Sequence, residues 1–374
     1  GTATPPAPPE PEPVTELGDF KVTSTGEEYA YAENVLTITG PTPVTIAMAD
    51  GVAQTTADSI FVADGVSADI TLDGVKIDQS GGGAAFQIAD GSGGDVNVTL
   101  IGNNVLKSGI DCAGLQKTGG SDSGTLTIQG SGALEAVGGE GAGGAEDDGY
   151  IGAPGIGAQK LDVCANIVIA GNPQLTVTGG YPECGLGGEK GMCYSLEVSG
   201  GTINGSASVG YGDFTMSGGT INGDITSVQS GFTMTGGTIN GTLTASTLGE
   251  VHLNGGEIVS DRNYTISASS SGTYLPIYVN GGTVTNTNPG GTAILLGSEL
   301  NYTSGSIRGM NANLLDRMDG FKAVRQSDGY YCLAPDTGDF TVTGGIYGRD
   351  YKYGGNILKI STDTPLTVST NGES

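Results

Sequence analysis

The sequence predicts an all-β chain wound as a right-handed parallel β-helix of about ten to twelve coils. A single phrase (apolar, any residue, apolar, any residue, glycine) runs through it, from Leu36-x-Ile38-x-Gly40 to Phe340-x-Val342-x-Gly344. Between these come Ile70-x-Leu72-x-Gly74, Val98-x-Leu100-x-Gly102, Leu126-x-Ile128-x-Gly130, Ile167-x-Ile169-x-Gly171 and Leu196-x-Val198-x-Gly200. Phe214-x-Met216-x-Gly218, Phe232-x-Met234-x-Gly236, Val251-x-Leu253-x-Gly255 and Ile277-x-Val279-x-Gly281 follow, and Leu300-x-Tyr302 with Ser304 is an imperfect copy. Alternation with period two marks a strand with one buried face, and the glycine marks a bend. The chain holds 69 glycines in 374 residues and no segment with helical periodicity, which excludes a helical class. Copies recur every ~18 to 41 residues, the mark of a solenoid whose single coil cannot bury its own apolar face.

Taken in order, residues 1–16 are rich in Pro, Ala and Glu, a composition of extended solvated chain, and read as a linker inside a larger secreted protein. Residues 17–338 are the solenoid. The glycines Gly102, Gly130, Gly171 and Gly200 are 28, 41 and 29 residues apart, so the early coils carry insertions, and insertions in a solenoid become loops. The longest runs from Val137 to Pro154. From Gly200 to Gly255 the coils shorten to 18 and 19 residues and leave little room for loops. There a second strand is visible in Gly201-Thr202-Ile203-Asn204, Gly219-Thr220-Ile221-Asn222 and Gly237-Thr238-Ile239-Asn240. Stacked in register, Ile203, Ile221, Ile239, Ile258 and Val284 point inward, while Asn204, Asn222 and Asn240 ladder their amides at a corner. A third column is expected at Ala113-Gly114-Leu115, Pro154-Gly155-Ile156 and Cys184-Gly185-Leu186, with Ala85-Phe86-Gln87-Ile88 before them.

A longer repeat joins the two ends. Gly18-Asp19-Phe20-x-Val22-Thr23 returns as Gly338-Asp339-Phe340-x-Val342-Thr343, and Tyr29-x-Tyr31, Asn34, Leu36, Ile38 and Pro43 return as Tyr351-x-Tyr353, Asn356, Leu358, Ile360 and Pro365. Residues 339–374 therefore read as the opening of a next module in a tandem array or, alternatively, as a cap that closes the spool.

The formal charge is -26, from 14 Lys plus Arg against 40 Asp plus Glu. Nucleic acid and anionic membranes demand a basic stripe, so they are excluded as partners. No apolar run approaches the ~18 residues of a membrane span. Five cysteines (Cys112, Cys164, Cys184, Cys193 and Cys332) is an odd count. Cys164 and Cys193 each precede a phrase glycine by seven residues, which stacks them one coil apart, as either a disulfide or two small buried thiols.

The chain resembles a family of secreted bacterial carbohydrate-binding-domain proteins, mostly of Gram-positive anaerobes, built on a lyase-like right-handed parallel β-helix. The resemblance rests on Asp64-Gly65-Val66-x-Ala68-x-Ile70-x-Leu72-x-Gly74-Val75-x-Ile77, on Ala85-Phe86-x-Ile88-Ala89 and on Val98-x-Leu100-x-Gly102-x-Asn104-x-Leu106-x-Ser108-Gly109. It extends through Ala113-Gly114-Leu115-Gln116 and Leu126-x-Ile128-x-Gly130-x-Gly132-x-Leu134, covering residues 17–200 in detail. It implies an extracellular protein of the bacterial cell surface that binds polysaccharide, with calcium as a structural or bridging ion.

Residues for that role are sought on the loops. Calcium takes six to eight oxygens, and Glu146, Asp147 and Asp148 on the longest loop and Asp90 with Asp95 around a glycine turn are the candidate ligands. Sugar rings stack on aromatics; without tryptophan the candidates are Tyr150, Tyr181, Tyr194 and Tyr211. A polysaccharide lyase is the residual enzymatic reading, since its base would have to be Lys160 beside Asp162 or Lys190 beside Glu189. The single histidine, His252, points outward on a short coil and has no paired acids for hydrolysis. The outward threonines Thr202, Thr220 and Thr238 are too few for an ice-binding face. The expected function is thus a calcium-assisted polysaccharide-binding module; the alternative is an adhesin for a host protein or glycoprotein such as immunoglobulin or mucin.

Overall fold

The structure is a computed structural model that describes residues 13–52, 54–141, 152–159, 162–180, 185–187, 193–247, 249–268, 275–296, 300–315, 320–354 and 356–370. Three long sheets, of 13, 12 and 12 strands, run along one axis as a parallel β-helix. Each coil contributes one strand to each sheet in turn. One coil runs through Val96–Ile101 in sheet A, Asn103–Lys107 in sheet C and Leu115–Lys117 in sheet B. No helix long and apolar enough to cross a membrane occurs among the described residues.

Stacking in register makes inward residues meet their own kind in the next coil. Ile70, Val98 and Ile128 pair in sequence, as do Leu196, Phe214, Phe232 and Val251. In sheet C the column Ile203, Ile221, Ile239, Ile258 and Val284 forms as its spacing requires and continues to Ile307. In sheet B, Phe86, Leu115, Ile156 and Leu186 make the third column. All these side chains are buried. A parallel strand paired on both edges and packed on one face leaves its apolar atoms no route to water, which is where the stability of a solenoid resides.

Cys164 and Cys193 are neighbours in adjacent coils, both buried, and Cys193 Sγ donates a hydrogen bond to Cys164 Sγ at 3.3 Å in place of a disulfide. The stacked-thiol alternative is the one present. Cys184 lies outside the described residues.

Two copies of the phrase stand apart from the others. Leu36 and Ile38 lie in sheet B rather than sheet A: Val35–Ile38 closes an antiparallel hairpin with Tyr29–Ala32 on one edge and opens the parallel ladder with Ser59–Val62 on the other. Phe340 and Val342 belong to a strand that pairs antiparallel with Thr367–Thr370. Alternation reports one buried face and is blind to which sheet a strand joins and to its direction. At the head of the spool Phe20–Ser24 runs antiparallel to Val44–Met48, and Val14–Leu17 adds a further strand to it. The expected linker thus gives way to structure before residue 16. The last coil is closed by the hairpin Phe321–Arg325 with Tyr331–Pro335, whose second strand pairs antiparallel with Ser306–Gly309. An antiparallel cover of this kind occupies the end of a sheet that would otherwise offer an open edge.

The head is fastened to the first coil by a polar knot. Tyr31 donates its hydroxyl to Asp58 Oδ2 at 2.7 Å, and the Asp19 amide donates to the same oxygen at 2.9 Å. Burial, with the Asp58 bond and charge, pushes the Tyr31 hydroxyl up to about 12. Beyond the closing hairpin, residues 338–370 form two small antiparallel strand pairs of their own, and Tyr347 packs on Phe321 of the hairpin with ring centroids 5.1 Å apart.

Candidate functional site

The short coils present an elongated recess. Each turns from sheet C to sheet B through an Asn-Gly pair: Asn204-Gly205, Asn222-Gly223 and Asn240-Gly241. A Cβ on Gly223 would overlap the Gly205 carbonyl, and one on Gly241 the Gly223 carbonyl. Glycine therefore lets the corners close on one another. That approach brings the amides into a ladder, Asn240 Nδ2 donating to Asn222 Oδ1 and Asn222 Nδ2 to Asn204 Oδ1, each at 2.8 Å. All three asparagines are exposed.

The ladder stops at the next coil, where Val259 takes the place of asparagine. There the corner is enlarged, and Ser260, Asp261 and Arg262 stand beside the ladder. The result is a groove of about 510 Å³ lined by Asn222, Asp224, Asn240, Asp261 and Arg262, reaching from Ser206 to Thr287 along the spool axis. Asp224 is fixed: its Oδ1 accepts the Thr242 amide at 2.8 Å, and its own amide donates to Ser206 Oγ at 3.2 Å. Asp261 and Arg262 are both exposed and 3.8 Å apart, a pair too solvated to hold itself closed. The groove presents amide donors and acceptors, carboxylates and one guanidinium on a rigid floor. It can hydrogen-bond a polar ligand along its length, and it contains no acid or base partnered for proton transfer.

A second recess of about 330 Å³ on sheet B is lined by Phe61 with Gln79 and Gln87. On sheet A, His252 and Tyr278 sit opposite each other in register and stack at 4.5 Å with an interplanar angle of 3°. His252 also meets Glu250 Oε2 at 2.9 Å. Tyr278 fills the outward place of Ile277-x-Val279 that His252 fills in the coil before, so the alternation alone marks the pair.

Of the expected ligand residues, Tyr194 and Tyr211 are brought together on adjacent coils. The Cys193 to Val209 bridge aligns these coils, the Gly212 amide donates to the Tyr194 carbonyl at 2.5 Å, and Tyr211 is 50 % exposed. Tyr150, Tyr181, Glu146, Asp147 and Asp148 lie outside the described residues, as do Lys160, Glu189 and Lys190.

Asp90 and Asp95 are exposed at the two ends of their turn. Asp95 Oδ1 accepts the Thr125 amide at 2.8 Å, and the carbonyl of Ser92 between them receives Lys117 Nζ at 3.3 Å and the Gly124 amide at 3.0 Å. Among the described residues no three His, Cys, Asp or Glu side chains gather as a metal site. The interior carbonyl of this turn thus faces the Lys117 side chain.

Lys117 is itself unexpected. It is wholly buried and stands next to Ile88, in a column that runs from Ile38 through Val62. Burial lowers its pKa against the pull of Cys164 and Asp95. The unfolded chain then keeps a proton over a window in which the native state has released it, so stability rises with pH from the depressed value up to the unfolded one near ~10.4. Lys117→Met should raise stability at neutral pH, by on the order of 1 kcal/mol or more, because it removes a charge from the core. It should also abolish that alkaline rise. Urea unfolding across pH 7 to 10 checks both, and an unchanged slope in the variant would show that Lys117 is not the titrating group.

Comparison of the chain with protein families, curated proteins and solved structures finds no match in any of the three. The family resemblance read from residues 17–200 therefore carries no further than the parallel β-helix itself.

Proposed function

We propose that this protein is a polysaccharide-binding module of an extracellular, bacterial cell-surface protein, and that the glycan lies in the groove along Asn222, Asp224, Asn240 and Arg262. The observation behind this reading is the ladder of exposed amides opening into a groove of about 510 Å³ that follows the spool axis. Amides serve hydroxyl-rich chains well because each offers a donor and an acceptor. A rigid floor also spares the ligand's partner the entropy of ordering loops. The ladder repeats at the strand spacing, about 4.8 Å, so an extended polymer meets the same groups coil after coil. With a net charge of -26, an acidic glycan needs a bridging cation, and calcium is the candidate; a neutral glycan needs none.

The test is titration of soluble neutral and acidic polysaccharides, with calcium and with chelator. Asn222→Leu combined with Arg262→Ala should weaken binding at least tenfold while leaving the melting curve in place. If binding survives in that variant and disappears on shortening residues 142–150, the ligand sits on the long coils. If no glycan binds and a host glycoprotein does, the adhesin reading replaces this one.

A further inference from the structure

The unit at residues 338–370 repeats the head of the spool in three dimensions as well as in sequence. At the head, Phe20 pairs with Met48 and Thr23 with Thr45; in the unit, Phe340 pairs with Thr370 and Thr343 with Thr367. The hairpin pairs Tyr29 with Ile38 and Ala32 with Val35, and the unit pairs Tyr351 with Ile360 and Gly354 with Ile357. Thr39 bonds the Glu28 carbonyl at 2.9 Å, and Ser361 bonds the Asp350 carbonyl at 2.8 Å. Gly18 and Gly338 share a left-handed φ, 58° and 60°, and a Cβ on either would overlap the ring of Tyr31 or Tyr353.

What differs is the cover. Ile38 and Ile46 are fully buried, because Val35–Ile38 pairs in parallel with Ser59–Val62 and Val44–Met48 with Ala68–Asp73. Their counterparts Ile360 and Val368 are 52 % and 39 % exposed, and Ile357 is 57 % exposed. Tyr31 meets Asn34 Oδ1 at 3.5 Å and also the Asp58 carboxylate delivered by the first coil. Tyr353 meets Asn356 Oδ1 at 3.4 Å, and no carboxylate fills the place of Asp58 among the described residues.

We propose that residues 338–370 are a second start cap, an interaction surface that receives a parallel β-coil following it in sequence. That coil has the chemistry of the first one: apolar alternation as in Ile60-x-Val62 and Ile70-x-Leu72, with an acid at the place of Asp58. Residues 49–58 make the corresponding connection at the head, and a link that short favours a coil of the same polypeptide over one from another molecule. Sequential stacking on a pre-formed cap is how a solenoid covers faces that one repeat cannot bury.

The first experiment extends the full chain by joining a copy of residues 49–107 after Thr370. Amide exchange at Ile357–Ile360 and Thr367–Thr370 should slow at least tenfold as the new coil covers them. Ile360→Asp in the extended chain should restore fast exchange without moving the melting of the spool. Unchanged exchange in the extended chain would overturn the proposal. Slowing that appears instead in the unextended chain, and grows with protein concentration, would also overturn it, by making a second molecule the occupant. Against a misfolded graft, a second variant replaces Gly18–Met48 by Gly338–Thr370. The proposal requires the first coil, Ser59–Asp73, to keep its exchange protection there, and its loss would refute docking.

Discussion

Phe232→Ala is expected to lower the unfolding free energy by about 3–5 kcal/mol, the usual cost of removing a large aromatic side chain from a core. Phe232 is wholly buried and meets Phe214 of the preceding coil edge-to-face, with ring centroids 5.2 Å apart and an interplanar angle of 89°. Its strand is paired on both edges, with Phe214–Met216 and with Val251–Leu253, so the coil cannot collapse into the space left behind. Nearest-neighbour coupling in a solenoid should spread the loss to adjacent coils. Denaturant unfolding gives the free energy, and amide exchange in the strands of Phe214 and Val251 gives its spread. A loss below about 1 kcal/mol would mean that the cavity is filled by rearrangement.

Gly139→Ala should be strongly destabilising. A Cβ on Gly139 would overlap the carbonyl of Gly109, and one on Gly180 would overlap the carbonyl of Gly139. These are backbone atoms of adjacent coils, already hydrogen-bonded, so no flexible side chain can swing aside. Overpacking of this kind costs about 1–3 kcal/mol, occasionally more. Gly120→Ala is its counterpart. Nothing lies within 4 Å of a Cβ there and φ is not left-handed, so the substitution should stabilise by about 0.4–1 kcal/mol through the unfolded chain. Opposite signs for the two variants in one denaturation series would separate packing from backbone freedom. Equal effects would show that the corner at Gly139 can open.

The two predictions also mark how far the sequence could be read. The inward columns were legible because period two names the buried face and the coil length names the neighbour, as for Ile203, Ile221 and Ile239. The amide ladder was legible for the same reason. The sheet and the direction a strand takes were not, which is why Leu36, in sheet B, and Phe340, in an antiparallel pair, carry the same phrase as the sheet A coils. The groove beside Arg262 was not legible either: the Asn-Gly corners read the same whether or not the next coil enlarges to leave room. Lys117 follows the buried Leu115 by two places and so sits at an inward position that the alternation alone marks, although lysine is rarely a core residue.

By itself the sequence determined that this chain winds into stacked coils, which residues face the core, and that its ends share one motif. Those are local or nearest-neighbour properties, set by alternation and spacing. Only the tertiary structure decided that Asn222, Asp224 and Arg262 share one recess and that the two copies of the terminal motif differ in burial. Both depend on what the adjacent coil does, and a motif carries the same residues whether its face is covered or open.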